Sequence, residues 1–222
     1  GRAGRALPDP ASPKLSPAER LPALVARVKY EQQNLKTLQA NFVQRRQSEL
    51  LLVPEESQGL FSYAAPDSVR WDYQSPKPIS MVILGDEMTT WYQDLDRAEK
   101  LSVGRYSGQI HRYLGAGSSL VTLLQYFNVT MVSPDATAEP LRLELKPRYE
   151  RISKRFQEMT IWLDRAHYLP VRLRYLEPNG DQTEYRFSAM RINEPIAADR
   201  FNLKLPPGVA VRVVVPGAHP GR

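Results

Sequence analysis

The most constraining feature of this sequence is an apolar–polar alternation on both sides of a turn in residues 58–73. Residues 59–64 and 68–73 have the pattern of β-strands, and they are joined at Pro66 and Asp67, two residue types that favour turns. Alternate residues of a strand share a face. The side chains that share one face of this predicted hairpin are Phe61, Tyr63, Val69, Trp71 and Tyr73. Such an aromatic face predicts either a packed core or an apolar cavity.

Composition sets wide limits on the partners of this chain. Apolar residues make up 42% of the 222 residues and charged residues 24%, so the chain can bury a substantial core. The net charge of +6 fits an acidic partner, an anionic membrane surface or nucleic acid, and it equally fits solubility alone. Because the sequence has no cysteine, disulfides and thiolate metal sites are excluded.

The start of the chain predicts a leader followed by a helix. Residues 1–16 are rich in proline, glycine and alanine, and we expect a flexible leader there. The first residue is glycine rather than methionine, which would fit a signal peptide that has been removed. Ser16 and Pro17 favour a helix start, and Leu24 and Val28 recur at helical spacing. The sequence therefore predicts an amphipathic helix that ends near Asn34 and covers a sheet.

Short strands dominate the rest of the sequence. The first strand after the helix has Leu38, Ala40 and Phe42 on one face, and turn signals then recur every eight to twelve residues. This pattern predicts an antiparallel sandwich or barrel. The aliphatic run at residues 50–53 is either a strand extension or an exposed loop, and we expect the extension. Residues 120–127 predict a second short helix with one side on the sheet.

Catalytic and metal-binding patterns are missing from the sequence. The histidines are far apart, none at metal-ligand spacing, and no residue pattern positions a nucleophile against a base. We therefore expect no catalytic residues, no metal and no cofactor. Basic and aromatic residues in 148–156 suit single-stranded nucleic acid. Acidic residues in the same run favour a solvated connection, so no nucleic-acid partner is expected.

Taken together, several segments resemble the LolA-type periplasmic carriers of outer-membrane lipoproteins. The resemblance covers roughly residues 20–212 and rests on the order and spacing of short motifs rather than on one of them. These motifs are Leu38-Gln-Ala-Asn-Phe-Val-Gln44, Gln58-Gly-Leu-Phe61, Pro66-Asp-Ser-Val-Arg-Trp-Asp-Tyr73, Ile161-Trp-Leu-Asp164, Glu177-Pro-Asn-Gly-Asp181 and Phe201-Asn-Leu-Lys-Leu-Pro-Pro207.

The resemblance implies a fold and a function. The fold would be mainly β: an incomplete, half-open antiparallel barrel of about eleven strands lidded by α-helices, formed by a single domain over residues 17–215 with a flexible tail at 216–222. The function would be that of a soluble, monomeric periplasmic carrier whose hydrophobic cavity shelters the acyl chains of lipoproteins between the inner and outer membranes. An inner-membrane release complex and an outer-membrane receptor are the implied partners.

The resemblance and strand parity together give a candidate lipid site. The residues expected to line the cavity are Leu38, Ala40, Phe42, Phe61, Tyr63, Val69, Trp71 and Tyr73. The lid would present Leu24, Val28, Val121 and Leu124. In the family, the position of Val69 is often a rim aromatic that contacts membrane partners, and Trp71 matches a cavity tryptophan. Ala65 stands where the family often has an arginine that tethers the lid.

Two other functions fit the same scaffold. One is a carrier of a different amphiphile, such as a glycolipid or a polyene-like acyl product. The other is a module that senses mislocalised lipoproteins and regulates a signalling protein. The identity of the co-purifying lipid would distinguish the carriers, and a second regulator-binding domain would favour the sensor.

Overall fold

The computed structural model describes residues 6–102, 123–132 and 140–214. The described chain is mostly β-strand with few helices. Its strands are β1 (Thr37–Gln47), β2 (Glu55–Ala64), β3 (Ser68–Ser75), β4 (Ile79–Leu84), β5 (Glu87–Tyr92), β6 (Arg97–Ser102), β7 (Phe127–Val132), β8 (Leu141–Pro147), β9 (Glu158–Leu163), β10 (Pro170–Leu176), β11 (Gln182–Ile192) and β12 (Ala210–Val214).

These twelve described strands form one open sheet in the order β12-β6-β5-β4-β3-β2-β1-β11-β10-β9-β8-β7. The prediction of an unclosed, mainly antiparallel β fold is confirmed, with twelve described strands where about eleven were expected. One edge departs from the antiparallel rule, because β12 pairs with β6 in parallel, with Ala210 opposite Arg97. The side chains of Val211 and Val213 on this edge strand are exposed.

Helix α1 (Pro17–Asn34) begins and ends where the sequence predicts. Ser16 precedes the first turn, and its backbone N–H and its hydroxyl both donate to Oε1 of Glu19. This capping interaction lowers the pKa of the Glu19 carboxyl, first through the hydroxyl and then through the backbone donor. Among the described helices, none is long and apolar enough to cross a membrane.

The chain divides into two compact units. Of the described residues, the helix unit contains 6–34, 46–55, 123–132 and 140–186. The hairpin unit contains 35–45, 56–102 and 187–214. Each unit has its own buried apolar side chains.

The core of the helix unit lies on one face of β8, β9 and β10. In their antiparallel register Leu143 lies opposite Ile161, and Ile161 lies opposite Leu173. All three side chains are buried, as are Leu24 and Val28 of α1. Cross-strand pairs that share a face are the unit of stabilisation in a sheet, so this row makes one continuous apolar layer.

The opposite face of the helix unit's strands carries an ionic ladder. The Arg172 guanidinium lies 4.1 Å from the centre of the Trp162 ring and also pairs with Glu184. Arg186 donates to the same carboxylate at 2.9 Å. Burial raises the pKa of Glu184, but the hydrogen bonds from Arg172 and Arg186 outweigh burial and hold the pKa below its usual value.

Part of the predicted leader makes specific contacts within the helix unit. The Asp9 carboxylate accepts two bonds from Arg165, at 2.8 and 2.6 Å, and Arg20 donates to the carbonyl of Pro10. Ala11 is buried. The segment around residues 9–11 is therefore held to the unit by an ion pair in which Nη2 of Arg165 contacts both carboxylate oxygens of Asp9. The flexibility expected for residues 1–16 stays a prediction.

The hairpin unit is organised by β2 and β3. Their antiparallel register places Phe61 opposite Trp71 and Tyr63 opposite Val69, which confirms the strand parity inferred from the sequence. Gly59 permits the close approach of the two strands, because a Cβ atom at this position would lie 1.8 Å from the carbonyl oxygen of Asp72. Only a residue without a side chain fits there.

The expected strand extension at residues 50–53 is wrong. Strand β1 ends at Gln47 and β2 begins at Glu55, and the residues between them form a loop. Leu50 and Leu52 are almost fully exposed in this loop. The aliphatic run therefore does not join the sheet.

Candidate functional site

The aromatic face predicted from the sequence is assembled within the hairpin unit. Strands β1, β2 and β3 each contribute inward-facing side chains from alternate positions. The predicted residues that are buried are Leu38, Ala40, Phe42, Phe61, Tyr63, Val69 and Trp71; Tyr73 is half-buried. Parity alone therefore selected a set of neighbouring side chains, and their contact with a lipid stays a prediction.

The rings of this face contact one another edge to face. The Trp71 ring centre lies 4.9 Å from that of Phe42 and 4.7 Å from that of Phe61. Tyr73 meets Phe42 at 5.1 Å. Edge-to-face pairs at such distances contribute about 0.5–1.5 kcal/mol each beyond the area that they bury. The indole of Trp71 is thus the centre of an aromatic cluster, which we define as Phe42, Phe61, Trp71, Tyr73 and Phe187.

Phe187 is the member of the cluster that sequence reasoning missed. Its ring lies 6.0 Å from Phe61 and 6.0 Å from Trp71. It belongs to β11, where Tyr185 and Phe187 occupy alternate positions and are both buried. This alternation was a usable signal, but the sequence separation between β11 and β3 concealed the contact.

Polar groups mark the border of the aromatic face. The Tyr73 hydroxyl donates to Oε1 of Gln44, and the Tyr63 hydroxyl lies 3.5 Å from the carbonyl of Pro66. Burial raises the pKa of Tyr63, with a smaller contribution from the negative charge of Asp67. The two tyrosine side chains therefore present their apolar rings to the interior and their neutral hydroxyls to polar partners.

On the other face of β3, Asp72 is the centre of a polar network. Its carboxylate accepts bonds from Arg70 at 2.9 and 3.1 Å, from Ser80 at 2.7 Å and from Arg200. Arg200 also lies 3.3 Å from the hydroxyl of Ser62, and its carbonyl accepts a bond from Arg70. This network fastens the segment around Arg200 to the hairpin unit and keeps the ionic groups on the face opposite the aromatic cluster.

A small cavity of about 160 Å³ lies beside this segment. Its lining comes from β4, β5 and β6 and from residues 201–205. Leu84 and Leu203 contribute apolar surface, while Glu87 and Lys100 contribute charge. Val82, which lines the cavity, is paired with Arg70 and not with Trp71, so the cavity and the aromatic cluster lie on opposite faces of the strands.

The predicted lid residues are only partly described. Leu24 and Val28 are buried in the helix unit, on α1. Residues 123–126 are helical, and Leu124 is buried. Val121 and the rest of the predicted second helix up to that point lie outside the described residues. The lid role of these side chains stays a prediction.

Other chemistries find little support in the described residues. Within residues 6–102, 123–132 and 140–214, no group of three or more His, Asp or Glu side chains could hold a metal ion. The basic run that suggested nucleic acid lies around a short helix, Glu150–Ser153, between β8 and β9. There Arg148 donates to the carbonyl of Phe127 and Arg151 stacks on Tyr149. Both guanidinium groups thus contact the protein itself.

Comparison with known proteins supplies a family. The family model described as "Outer membrane lipoprotein carrier protein LolA" matches residues 33–204. The outer-membrane lipoprotein carrier protein of Alkalilimnicola ehrlichii is 29% identical over 175 residues, which cover 79% of this chain and 77% of that protein. The protein of the same name from Nitrosomonas europaea is 28% identical over 179 residues, covering 79% of this chain and 82% of the relative.

Two solved structures resemble the fold. An uncharacterised conserved protein from Thermus thermophilus superposes with a TM-score of 0.56 at 11% identity, covering 87% of this chain and 99% of the other. MucB superposes with a TM-score of 0.50 at 14% identity, covering 82% of this chain and 62% of MucB. At such identities the likeness extends to the fold alone.

Proposed function

Because this chain belongs to the LolA family of outer-membrane lipoprotein carrier proteins, we propose that it is a periplasmic carrier that shelters the acyl chains of lipoproteins. The observation that supports this proposal best is the aromatic cluster, which gathers rings from four strands on one mainly apolar face. The carrier would take its cargo from an inner-membrane release complex and deliver it to an outer-membrane receptor.

The driving force for carriage is hydrophobic. Each methylene that leaves water contributes about 0.8 kcal/mol. An acyl chain cannot cross an aqueous compartment without a protein surface that covers it. Ring–ring contacts within the aromatic cluster can be exchanged for ring–methylene contacts, because both are apolar. Loading and release then need no covalent step, so we propose that the protein is not an enzyme.

The cluster residues have different roles in this proposal. Trp71 would form the floor of the lipid site, since its ring touches Phe42, Phe61 and Phe187. Tyr73 would stand at its border, with its hydroxyl held by Gln44. Leu38, Ala40, Tyr63 and Val69 would complete the apolar wall, and Leu24, Val28, Val121 and Leu124 would form the lid.

Val69 and Ala65 distinguish this chain from the usual family pattern. Val69 lacks the ring with which relatives are expected to contact a membrane partner. The backbone N–H of Ala65 donates to the carbonyl of Lys36 at 2.8 Å, so the hairpin turn is fixed by its backbone rather than by a side chain. We propose that the turn keeps its position in this way without the family arginine.

A charge placed in the aromatic cluster tests the proposal. Trp71→Glu should abolish the uptake of a fluorescent fatty acid, because burying a carboxylate against an acyl chain is strongly unfavourable. Gln74→Glu is the matched control, since it adds the same charge at an exposed position of the same strand. Trp71→Leu keeps the site apolar and should reduce uptake only in part.

Circular dichroism and thermal unfolding would establish which variants fold. Uptake by a folded Trp71→Glu protein equal to that of the unchanged protein would refute the assignment of this face. If Trp71→Glu does not fold, Trp71→Leu is compared with Gln74→Glu. Lower uptake by Trp71→Leu supports the assignment of this face, and equal uptake refutes it. Native mass spectrometry of protein from its host would then identify the cargo, and a glycolipid in place of a lipoprotein would select the alternative carrier.

A further inference from the structure

The aliphatic tip, defined as Leu50, Leu51, Leu52 and Val53, is the most exposed apolar feature among the described residues. Leu50 is 94% exposed, Leu52 105% and Val53 72%, while Leu51 is half-buried. Values near 100% mean that a side chain stands as free in solvent as in an extended peptide, so the tip projects from the helix unit. Neighbouring exposed aliphatic side chains cost solubility and mark contact surfaces.

The tip is an ordered turn on a fixed base. The backbone N–H of Leu51 donates to the carbonyl of Ser48 at 3.0 Å, and that of Leu50 lies 3.3 Å from the Ser48 hydroxyl. Below it, the Arg46 guanidinium pairs with Asp181 at 3.0 Å. Hydrogen bonds from Ser48 and Arg46 lower the pKa of the Asp181 carboxyl. These bonds tie the base of the tip to the turn at residues 178–181.

The charges around the tip are of both signs, with a small acidic excess. Arg45 and Arg46 precede it, Glu49 adjoins it, and Glu55 and Glu56 follow it. The four residues of the tip itself are uncharged. Attraction by this segment must therefore come from removing aliphatic surface from water rather than from a field of one sign.

From this geometry we propose that the aliphatic tip inserts into the surface of a phospholipid bilayer. A projecting tip is convex, and a fluid acyl phase can close around it without a preformed pocket. A protein partner would need a matching concave site and would gain little from a tip that has no aromatic ring or arginine. The uncharged tip also fits a surface whose interior is hydrocarbon.

The contact would be weak and reversible. Even a single myristoyl chain gives only marginal membrane binding, with an association constant of about 10⁴ M⁻¹, and the side chains of the tip are of similar apolar size to such a chain. A brief encounter with a bilayer is what a protein that leaves the surface again requires. The tip lies in the helix unit and the aromatic cluster in the hairpin unit, so membrane contact and acyl uptake can fail independently.

Vesicle flotation of the full chain tests the proposal. The double variant Leu50→Ser with Leu52→Ser should lower the partition coefficient onto vesicles of phosphatidylcholine, and of phosphatidylethanolamine with phosphatidylglycerol, by at least about tenfold. The matched control is Leu95→Ser with Val213→Ser, which removes exposed aliphatic residues elsewhere. The control should bind as the unchanged protein does. Binding to phosphatidylcholine should persist at high salt.

A fluorophore reports where the tip lies. Because the chain has no cysteine, Leu52→Cys can be labelled at one site with a polarity-sensitive dye. Vesicles should shift the emission to the blue, and lipids brominated in the acyl chain should quench it. The same dye at Leu95→Cys should change little.

Three results would overturn the proposal. The first is equal vesicle binding by the tip double variant and the unchanged protein. The second is dye emission at residue 52 that vesicles do not alter. The third is an unchanged protein that sediments as a dimer and does not bind vesicles, with a tip double variant that is monomeric. The tip would then contact a second copy of this chain. Because the replaced side chains are exposed, the unfolding temperature should not change.

Discussion

Replacing Gly59 by alanine should be among the most damaging single-methyl changes in this protein. The added Cβ would lie 1.8 Å from the carbonyl oxygen of Asp72 and 2.8 Å from its carbonyl carbon. Both are backbone atoms, so no rotation of a side chain can relieve the overlap. Contacts under 3.0 Å are essentially never seen for real Cβ atoms, so β2 and β3 must move apart locally.

The expected cost follows from what that movement breaks. Overpacking of a close-packed site costs about 1–3 kcal/mol. A backbone shift of this size would also lengthen the neighbouring ladder hydrogen bonds, worth about 0.5–1.5 kcal/mol each. We expect Gly59→Ala to lower the free energy of unfolding by about 3 kcal/mol, which for a chain of this length corresponds to about 6–12 °C in the unfolding temperature.

Thermal unfolding followed by circular dichroism would measure this loss. Gly85→Ala is the matched control, because a Cβ at Gly85 meets no atom within 4 Å although its φ is +55°. There the cost is only the left-handed conformation, about 1 kcal/mol. The same displacement should disturb the pairing of Trp71 with Phe61. Gly59→Ala should therefore take up less acyl ligand even at temperatures at which it is folded.

Two results would refute the reasoning about Gly59. One is an unfolding temperature for Gly59→Ala within a degree or so of the unchanged protein, which would mean that the strands can separate without cost. The other is a larger loss for Gly85→Ala than for Gly59→Ala, which would mean that backbone conformation matters more than steric overlap.

Two further predictions concern ionic groups. The pKa of Glu184 is held below its ordinary value of 4.5, so its stabilisation is present above that pH and is lost as the pH falls through the lowered pKa. Glu184→Gln should therefore destabilise the protein by about 1 kcal/mol at neutral pH but not in acid, as urea unfolding at both pH values would show; an unchanged difference in acid would contradict it. Arg200→Met should remove a donor from Asp72 and cost about 1–2 kcal/mol after discounting for partial exposure. By contrast, Arg191→Met should cost little, because the Arg191 guanidinium donates to the nearby Ala189 carbonyl at 3.4 Å; equal losses would contradict the Asp72 network.

Local patterns in the sequence predicted the strands and their inward faces well. The alternation in β2 and β3 placed Phe61 and Trp71 on one face, and the structure pairs them directly. The helix from Pro17 to Asn34 was predicted by its cap and its apolar spacing. These features depend on neighbours in sequence, and period and capping therefore suffice to find them.

Contacts between distant segments could not be predicted in the same way. Nothing in the local sequence around Arg200 indicates that its guanidinium reaches Asp72, because the two residues are brought together only by the sheet. Phe187 joined the aromatic cluster for the same reason. The parallel pairing of β12 with β6 also depends on topology, whereas turn signals between neighbouring strands favour antiparallel hairpins.

The prediction of a strand extension at residues 50–53 was wrong for a different reason. Its aliphatic composition favours a strand, and hydrophobicity alone does not say whether a partner is available to cover it. Strand β1 ends at Gln47, and the turn that begins at Ser48 directs the chain away before the run begins. Exposure of this run was therefore decided by the tertiary structure and not by its own propensity.

The parallel pairing of β12 with β6 has a consequence for chains that fold incompletely or are shortened. Synthesis completes β6 at Ser102, but the residues that cover its open edge begin at Ala210. During folding the edge of β6 stays unpaired until this later segment has docked against it. An unpaired strand edge is a template for foreign strands. A chain that stops before Ala210 should therefore aggregate through β6 and give a lower yield, and a chaperone that covers this edge should raise the yield.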